Sequence, residues 1–376
     1  MKKKLSKLFI KGFKSIDKDG QTIRFGDITV LLGANGAGKS NLISFFRMLN
    51  FMTTGALQKF VGGQGYADSI LYFGSNHTPR MEAELVFNVG QYDRDTYQFT
   101  LSQASGDILM FNEEFITWSD KLHPTPVKIA LGAGHKESLL YEDSKSGGDT
   151  SSFIYNLLRG CQVFQFHDTS STAKIRNQGY IGDNGFLRSN AGNLAAFLYA
   201  LKNKTEWEKY YNRIVHHIQL IMPQFENFIL KPSPLNMEYM KLDWQEKDSE
   251  YRFGPHQLSD GTLRFMALAT LLLQPEELLP KLIVLDEPEL GLHPAAVSTF
   301  SGMVRMAAIH SQVLLATQST RLVDEFSADE IVVVERDSEK KSSVFKRLES
   351  SSLVEWLERY SLSELWEKNI IGGRPS

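Results

Sequence analysis

Cys161 is the only cysteine in the 376 residues. No disulfide can therefore close within the chain, and a zinc site built on cysteines lacks its ligands. This usage fits a reducing compartment. Net charge is also nearly absent: 41 basic residues against 44 acidic ones leave −3. That excludes a histone-like or polybasic nucleic-acid binder, while a local basic patch stays open. No stretch approaches the roughly 18 consecutive apolar residues of a membrane span. The longest apolar runs, near Phe265–Leu273 and Leu282–Leu285, suit a buried helix and a buried strand. The first ten residues are basic, but no signal-type apolar core follows, so a soluble, cytoplasmic chain without membrane contact is expected. There is no internal repeat, no low-complexity tract and no sustained heptad pattern, which excludes long coiled-coil arms. What is present is a globular balance, 42% hydrophobic and 23% charged, at the length of one large domain or two small ones.

Along the chain, residues 5–13 and 21–32 read as strands, and Lys39–Asn50 reads as a helix after a glycine-rich loop. Residues 68–118 alternate apolar and polar in short stretches (Met81–Val89, Tyr97–Leu101, Ile108–Phe111, Phe115–Trp118), the pattern of antiparallel hairpins. Residues 132–150 are rich in Gly, Ser and charge and are expected to be an exposed loop. Val163–Phe166 reads as a further strand. Over Asn190–Met222 the apolar residues recur at helical spacing, predicting a helical pair closed by Pro223. A helix follows over Gly261–Leu273. The runs Leu282–Leu285, Val313–Ala316 and Ile331–Val334, separated by helical stretches, predict parallel strands with crossover helices. Glu335–Leu348 reads as a hairpin, and Leu353–Ile370 as an amphipathic tail.

Three motifs carry chemistry. Gly33-Ala-Asn-Gly-Ala-Gly-Lys-Ser40 matches the phosphate-loop pattern G-x-x-x-x-G-K-[ST]. Its glycines let backbone N–H groups approach phosphate oxygens at a helix N-terminus. Lys39 then reaches the β- and γ-phosphates, and the Ser40 hydroxyl suits Mg²⁺. Lys281-Leu-Ile-Val-Leu-Asp-Glu-Pro288 is an apolar strand ending in two carboxylates. Asp286 can hold Mg²⁺ and Glu287 can orient or deprotonate a water; the plainer alternative is a capping pair before a Pro turn. Leu258-Ser-Asp-Gly-Thr262 opens an apolar helix. Ser259 caps it, and the same helix end can bind a γ-phosphate held by a second molecule.

Together these residues resemble the ABC-type ATPase head of the SMC/RecF/OLD group. In that resemblance Gly33–Ser40 is Walker A, Ile283–Glu287 is Walker B, and Leu258–Thr262 is the signature motif with Asp260 in place of its first glycine. Phe9-Ile-Lys-Gly-Phe-Lys-Ser-Ile16 resembles the strand that opens such heads, and Asn41 after Gly-Lys-Ser is typical of them. Glu289-Leu-Gly-Leu-His-Pro294 resembles the D-loop, and Ala316-Thr-Gln-Ser319 the switch. The tail from Trp356 to Pro375 resembles the standalone AAA family ATPases (AAA-21 or AAA-15 type) found in bacterial phage-defence loci.

The resemblance implies an α/β P-loop NTPase fold. It would be a single composite head over 1–376 with a mixed sheet, an antiparallel β subdomain and no long coiled coil. Its parts would be a Walker A half over 1–189, a helical insert over 190–250 and a signature/Walker B half over 251–376. It implies ATP held by Gly33, Ala34, Asn35, Gly36, Ala37, Gly38, Lys39, Ser40 and Asn41, with Lys14 and Ser15 beside them. Ser259 and Gly261 would complete the site of a second copy in a head-to-tail homodimer. Ser40, Asp286 and Gln165 would hold Mg²⁺, and Glu287, Lys39 and Gln318 would serve catalysis. Gln318 stands where transporter ATPases usually carry His; Gln can orient a water but takes no proton at neutral pH. Gln165-Phe-His-Asp168 is the Q-loop candidate, although His167 and Asp168 could equally form a polar turn. His293 reads as a packing or capping residue rather than a metal ligand.

The first functional expectation is an ATP-hydrolysing regulator of a separate TOPRIM-type nuclease or toxin in antiviral defence. The second is a RecF-like DNA repair ATPase, motivated by Lys2, Lys3, Lys4, Lys7, Lys11 and Lys14, which all precede the first acid. A transporter subunit is the third, and Gln318 and the opening Phe-Lys-Ser strand argue against it.

Overall fold

The computed structural model describes residues 4–88 and 93–373; Lys2, Lys3, Val89 and the tail positions 374–376 lie outside them. It contains two compact units, Met1–Gln162 with Ser327–Ser376, and Val163–Phe326.

In the first unit, Lys4–Lys11 is a strand burying Leu5, Leu8 and Ile10. The odd spacing of Leu5 and Leu8 follows from a bulge at Leu5/Lys7 that restores the alternation. This strand lies between Gln21–Arg24 and Arg80–Asn88. Arg94–Ala104, Ile108–Ser119 and Val127–Gly132 complete a six-stranded antiparallel sheet. The stretch 21–32 is two strands rather than one. Phe25-Gly26-Asp27 breaks it, with the Gly26 N–H donating to Thr29 Oγ1 at 3.1 Å. The second piece, Ile28–Leu32, is wholly buried and pairs in parallel with Ile331–Arg336. Ile331–Arg336 in turn forms the expected hairpin with Ser343–Arg347.

The helix Lys39–Thr53 follows the phosphate loop. Its Phe45 packs edge-on against Phe13 (centroids 5.7 Å apart) and stacks on Phe99 (6.4 Å), which fastens the helix to the antiparallel sheet. Residues 132–150 are not wholly a loop: Leu140–Lys145 is helical, and a longer helix, Asp149–Arg159, starts there. The longer helix buries Ile154, Leu157 and Leu158 at i, i+3 and i+4, a face that the surrounding Ser and Gly residues conceal.

In the second unit, Leu282–Asp286 and Gln312–Thr317 are parallel neighbours, joined by the helix Pro294–Ala308. The expected helical pair is Leu194–Asn203 and Glu208–Ile221. The helix Asp260–Leu273, apolar nearly all round, is buried between Glu208–Ile221 and Pro294–Ala308. A small antiparallel sheet, Phe225–Ile229, Asp243–Glu246 and Arg252–Phe253, is held by Trp244 stacking on Phe225 and Phe253. Among the described residues, no helix is long and apolar enough to cross a membrane.

Candidate functional site

The first unit carries the phosphate loop. The buried strand Ile28–Leu32 delivers Gly33 to the start of a buried helix, with Ala34, Asn35, Gly36 and Ala37 forming the turn between them. Gly38 precedes the helix at φ 117°, and no side chain caps the first-turn N–H groups. Lys39 is 5% exposed, and its ammonium donates to the carbonyls of Gly33 (2.5 Å) and Ala34 (3.0 Å). The loop is braced from behind. Ser343 Oγ donates to Ala37 O (2.6 Å) and contacts Ser15 Oγ (2.7 Å), which also accepts from Asn41 Nδ2 (2.7 Å). Ser40 is exposed at the helix start.

Lys14 has a left-handed backbone (φ 49°), and its ammonium donates to Ser44 Oγ and Gln64 Oε1, both at 2.7 Å. Burial, and then the nearby Arg47 charge, hold its pKa below the ordinary lysine value. Lys14, Ser15 and Asn41 line a cavity of about 450 Å³ together with Tyr72, Phe73 and Arg336. A cavity of this size, with Lys14 and Arg336 in its lining beside buried Tyr72 and the exposed Phe73 ring, suits an anionic heterocyclic ligand. Sequence reasoning missed Tyr72 and Phe73. The available signal was Phe73-Gly74, an exposed aromatic followed by a glycine, both at positive φ.

The second unit carries the acidic strand end. Asp286 ends the strand, and Glu287 follows at φ 42°, its N–H donating to Ala316 O at 2.8 Å. Gln165 Nε2 donates to Asp286 Oδ2 at 3.1 Å, and His167 Nε2 lies 2.8 Å from the Asp286 carbonyl. Asp168 instead makes a local turn, accepting from Ser170 N and Oγ. Gln318 is exposed between Thr317, which donates to Glu289, and Ser319, which caps the short helix Thr320–Val323. His293 accepts from Ala295 N at 3.2 Å and caps the helix it precedes.

Ser259 caps the helix Asp260–Leu273 by accepting the Thr262 N–H at 3.1 Å. Gly261 lies in the first turn against Gly291, whose carbonyl oxygen would sit 2.1 Å from any Cβ at 261. Two arginines that the motif reading passed over knit these segments together. Buried Arg176 donates to Asp260 Oδ1 (2.7 Å) and Thr169 O (2.7 Å), and this bond from Arg176 lowers the Asp260 pKa. Arg264 donates to the carbonyls of Phe166 (3.1 Å), His167 (2.8 Å) and Leu290 (2.7 Å). The segment around Gln165, the helix Asp260–Leu273 and the stretch after Glu287 thus share one hydrogen-bonded frame within this unit.

A family model described as "AAA domain" (AAA_23) matches residues 7–231. A second, described as "AAA domain, putative AbiEii toxin, Type IV TA system" (AAA_21), matches residues 149–324. The chromosome partition protein Smc of Halobacteriovorax marinus is 37% identical over 92 residues. That covers 24% of this chain and only 7% of the relative's length. The solved structure of an SmcHead bound to the C-winged helix domain of ScpA is similar, with TM-score 0.54 and 15% identity over 93% of this chain and 99% of the other. An Smc head domain with an extended coiled coil, bound to the C-terminal domain of ScpA and derived from Pyrococcus furiosus, gives TM-score 0.52 and 15% identity over 95% and 99%. These likenesses show the fold. The AAA_23 match spans more than half of the chain, so the chain belongs to that AAA domain family, and its fold is that of an SMC head.

Proposed function

We propose that the chain binds ATP through Gly33–Asn41 and hydrolyses it, and that two copies associate head to tail to control a separately encoded nuclease or toxin. The observation that carries the reading is the Lys39 ammonium, held by loop carbonyls at the uncapped N-terminus of a buried helix. That is a preformed seat for phosphate oxygens. The cavity lined by Lys14, Tyr72 and Phe73 takes the ribose and base.

The oxygen donors of Ser40, Asp286 and Gln165 are of the hard kind that Mg²⁺ accepts and would hold it; the Gln165 amide nitrogen donates to Asp286, which leaves its amide oxygen available as a donor atom. A bound Mg²⁺ would supply neutralising charge for the β- and γ-oxygens. In the reaction, a water oxygen attacks the γ-phosphorus while the bond to the β–γ bridging oxygen breaks. Glu287 accepts the water's proton, Gln318 orients the water, and Lys39 stabilises the charge that builds on the leaving ADP. The exposed start of the Asp260–Leu273 helix, with Ser259 and Gly261, is the surface offered to a second copy's γ-phosphate.

The toxin-system wording of the AAA_21 description favours a defence role over DNA repair. So do the N-terminal lysines. Lys4 pairs with Asp27, Lys7 with Glu84 and Lys11 with Glu82, and Lys14 is turned inward to Ser44 and Gln64. Lys4, Lys7 and Lys11 are thus already paired with carboxylates and Lys14 faces inward, which leaves less for a phosphate backbone. Sedimentation of Glu287→Gln with and without ATP tests the assembly, since blocked hydrolysis should accumulate a dimer. A monomer at saturating ATP would refute it. Duplex binding that weakens steeply with salt would move the reading to DNA repair.

A further inference from the structure

The tail from Leu362 onward returns to the phosphate loop. Leu362, Leu365 and Ile371 are buried anchors, and they deliver Gly372 and Gly373 to the end of the strand Ile28–Leu32. There the Gly373 carbonyl accepts the Ala34 N–H at 3.1 Å, and the Gly373 N–H donates to Glu335 Oε1 at 2.5 Å. Both glycines sit at positive φ, 81° and 82°. A Cβ on Gly372 would lie 1.7 Å from Glu335 Oε1, and one on Gly373 would lie 2.7 Å from Val333 Cγ1. The pair is therefore required by backbone conformation and by space together.

The other side of the contact is the Lys39 seat. Ala34 receives the tail through its N–H and holds the Lys39 ammonium through its carbonyl. The same ammonium is held by the Gly33 carbonyl, one peptide earlier. The Ala34 N–H and the Gly33 carbonyl belong to one planar peptide, so whatever fixes that plane fixes the direction of the Gly33 carbonyl, and with it the position from which Lys39 meets phosphate.

We propose that Gly373, held by Glu335, is a positioning residue for the phosphate loop. By latching the Ala34 peptide it sets nucleotide affinity without taking part in the chemical step. The inference rests on the reading of Gly33–Asn41 as the ATP site.

The test uses the full chain, a chain ending after Ile371, Gly373→Val, and the pair Glu335→Gln and Glu335→Ala. Binding of a fluorescent ATP analogue, steady-state kcat and KM, and the thermal midpoint without nucleotide are measured for each. The shortened chain and Gly373→Val should raise Kd and KM by about fivefold, the worth of roughly one hydrogen bond, with kcat within about twofold. Glu335→Gln keeps an acceptor for the Gly373 N–H and should retain the affinity that Glu335→Ala loses. Unchanged Kd and KM in a folded, shortened chain would overturn the latch. So would a loss of kcat at constant KM, the result of a purely structural role. If the shortened chain does not fold, equal Kd values for Glu335→Gln and Glu335→Ala overturn it instead. A full chain that binds no ATP would refute the nucleotide reading itself, and that result is read before any latch variant is compared.

Discussion

Replacing Gly38 by alanine puts the phosphate loop under a load whose parts can be counted. Gly38 has φ 117° and ψ 7°, a conformation an L-residue enters at a cost of about 1–2 kcal/mol. The new Cβ would lie 2.0 Å from Ser343 Oγ, 2.8 Å from Ser343 Cβ and 2.9 Å from Ser15 Oγ. Ser343 must then move, and it is the hub that bonds Ala37 O and Ser15 Oγ. Losing those two bonds costs about 1 kcal/mol each, and overpacking adds about 1 kcal/mol or more. The sum, about 4–5 kcal/mol, is a large part of the stability of an ordinary domain. Urea unfolding of the nucleotide-free protein should show a lower midpoint at unchanged slope. In a Ser343→Gly background the clash with Ser343 and its two bonds are gone, leaving the backbone strain and the single approach to Ser15 Oγ, so the cost of Gly38→Ala should fall to about 2 kcal/mol. A cost below about 1 kcal/mol in the wild-type background would refute this account of the loop, as would an equal cost in both backgrounds.

Two further outcomes follow from the same geometry. Arg264→Leu strips donors from the carbonyls of Phe166, His167 and Leu290 and should destabilise by about 2–4 kcal/mol in a urea melt. Arg264→Lys should recover little of this, because an ammonium cannot span the three carbonyls, and full recovery would refute that geometry. Lys14 is charged below its pKa, and that pKa is depressed by burial and by Arg47. ATP affinity should therefore be full at neutral pH and decline as pH rises through a midpoint below the ordinary lysine value of 10.5. Lys14→Arg should keep its affinity over that range, and a wild-type affinity that stays flat would remove Lys14 from the site.

Much of the fold was legible because its signals are local. The phosphate loop declares itself through Gly33, Gly38 and Lys39, and the buried strands Leu282–Asp286 and Gln312–Thr317 through unbroken apolar runs. The antiparallel sheet was legible from alternation. Three features were not. The break at Phe25-Gly26-Asp27 is hidden in an apolar run, because two short strands entering different sheets read like one long strand. The helix Asp149–Arg159 is hidden by polar neighbours, since its buried face is only three or four residues wide. The third feature is non-local chemistry. Gly373 meets Ala34 across most of the chain with no sequence signal, whereas the meeting of Gln165 and Asp286 across 121 positions was reached only through the family resemblance. Glu287 also carries a left-handed backbone that no propensity suggests, and strain of this kind at a carboxylate supports the catalytic role proposed for it.

The central claim is ATP hydrolysis by this chain, with Lys39 seating the phosphates and Glu287 taking the proton. It is tested most directly by measuring phosphate release from ATP for the wild type and Glu287→Gln alongside ATP binding for both, with Lys39→Ala as the binding control. The account predicts turnover by the wild type, retained binding with turnover reduced at least about a hundredfold in Glu287→Gln, and lost binding in Lys39→Ala. Wild-type turnover in Glu287→Gln, or undiminished binding in Lys39→Ala, would contradict it.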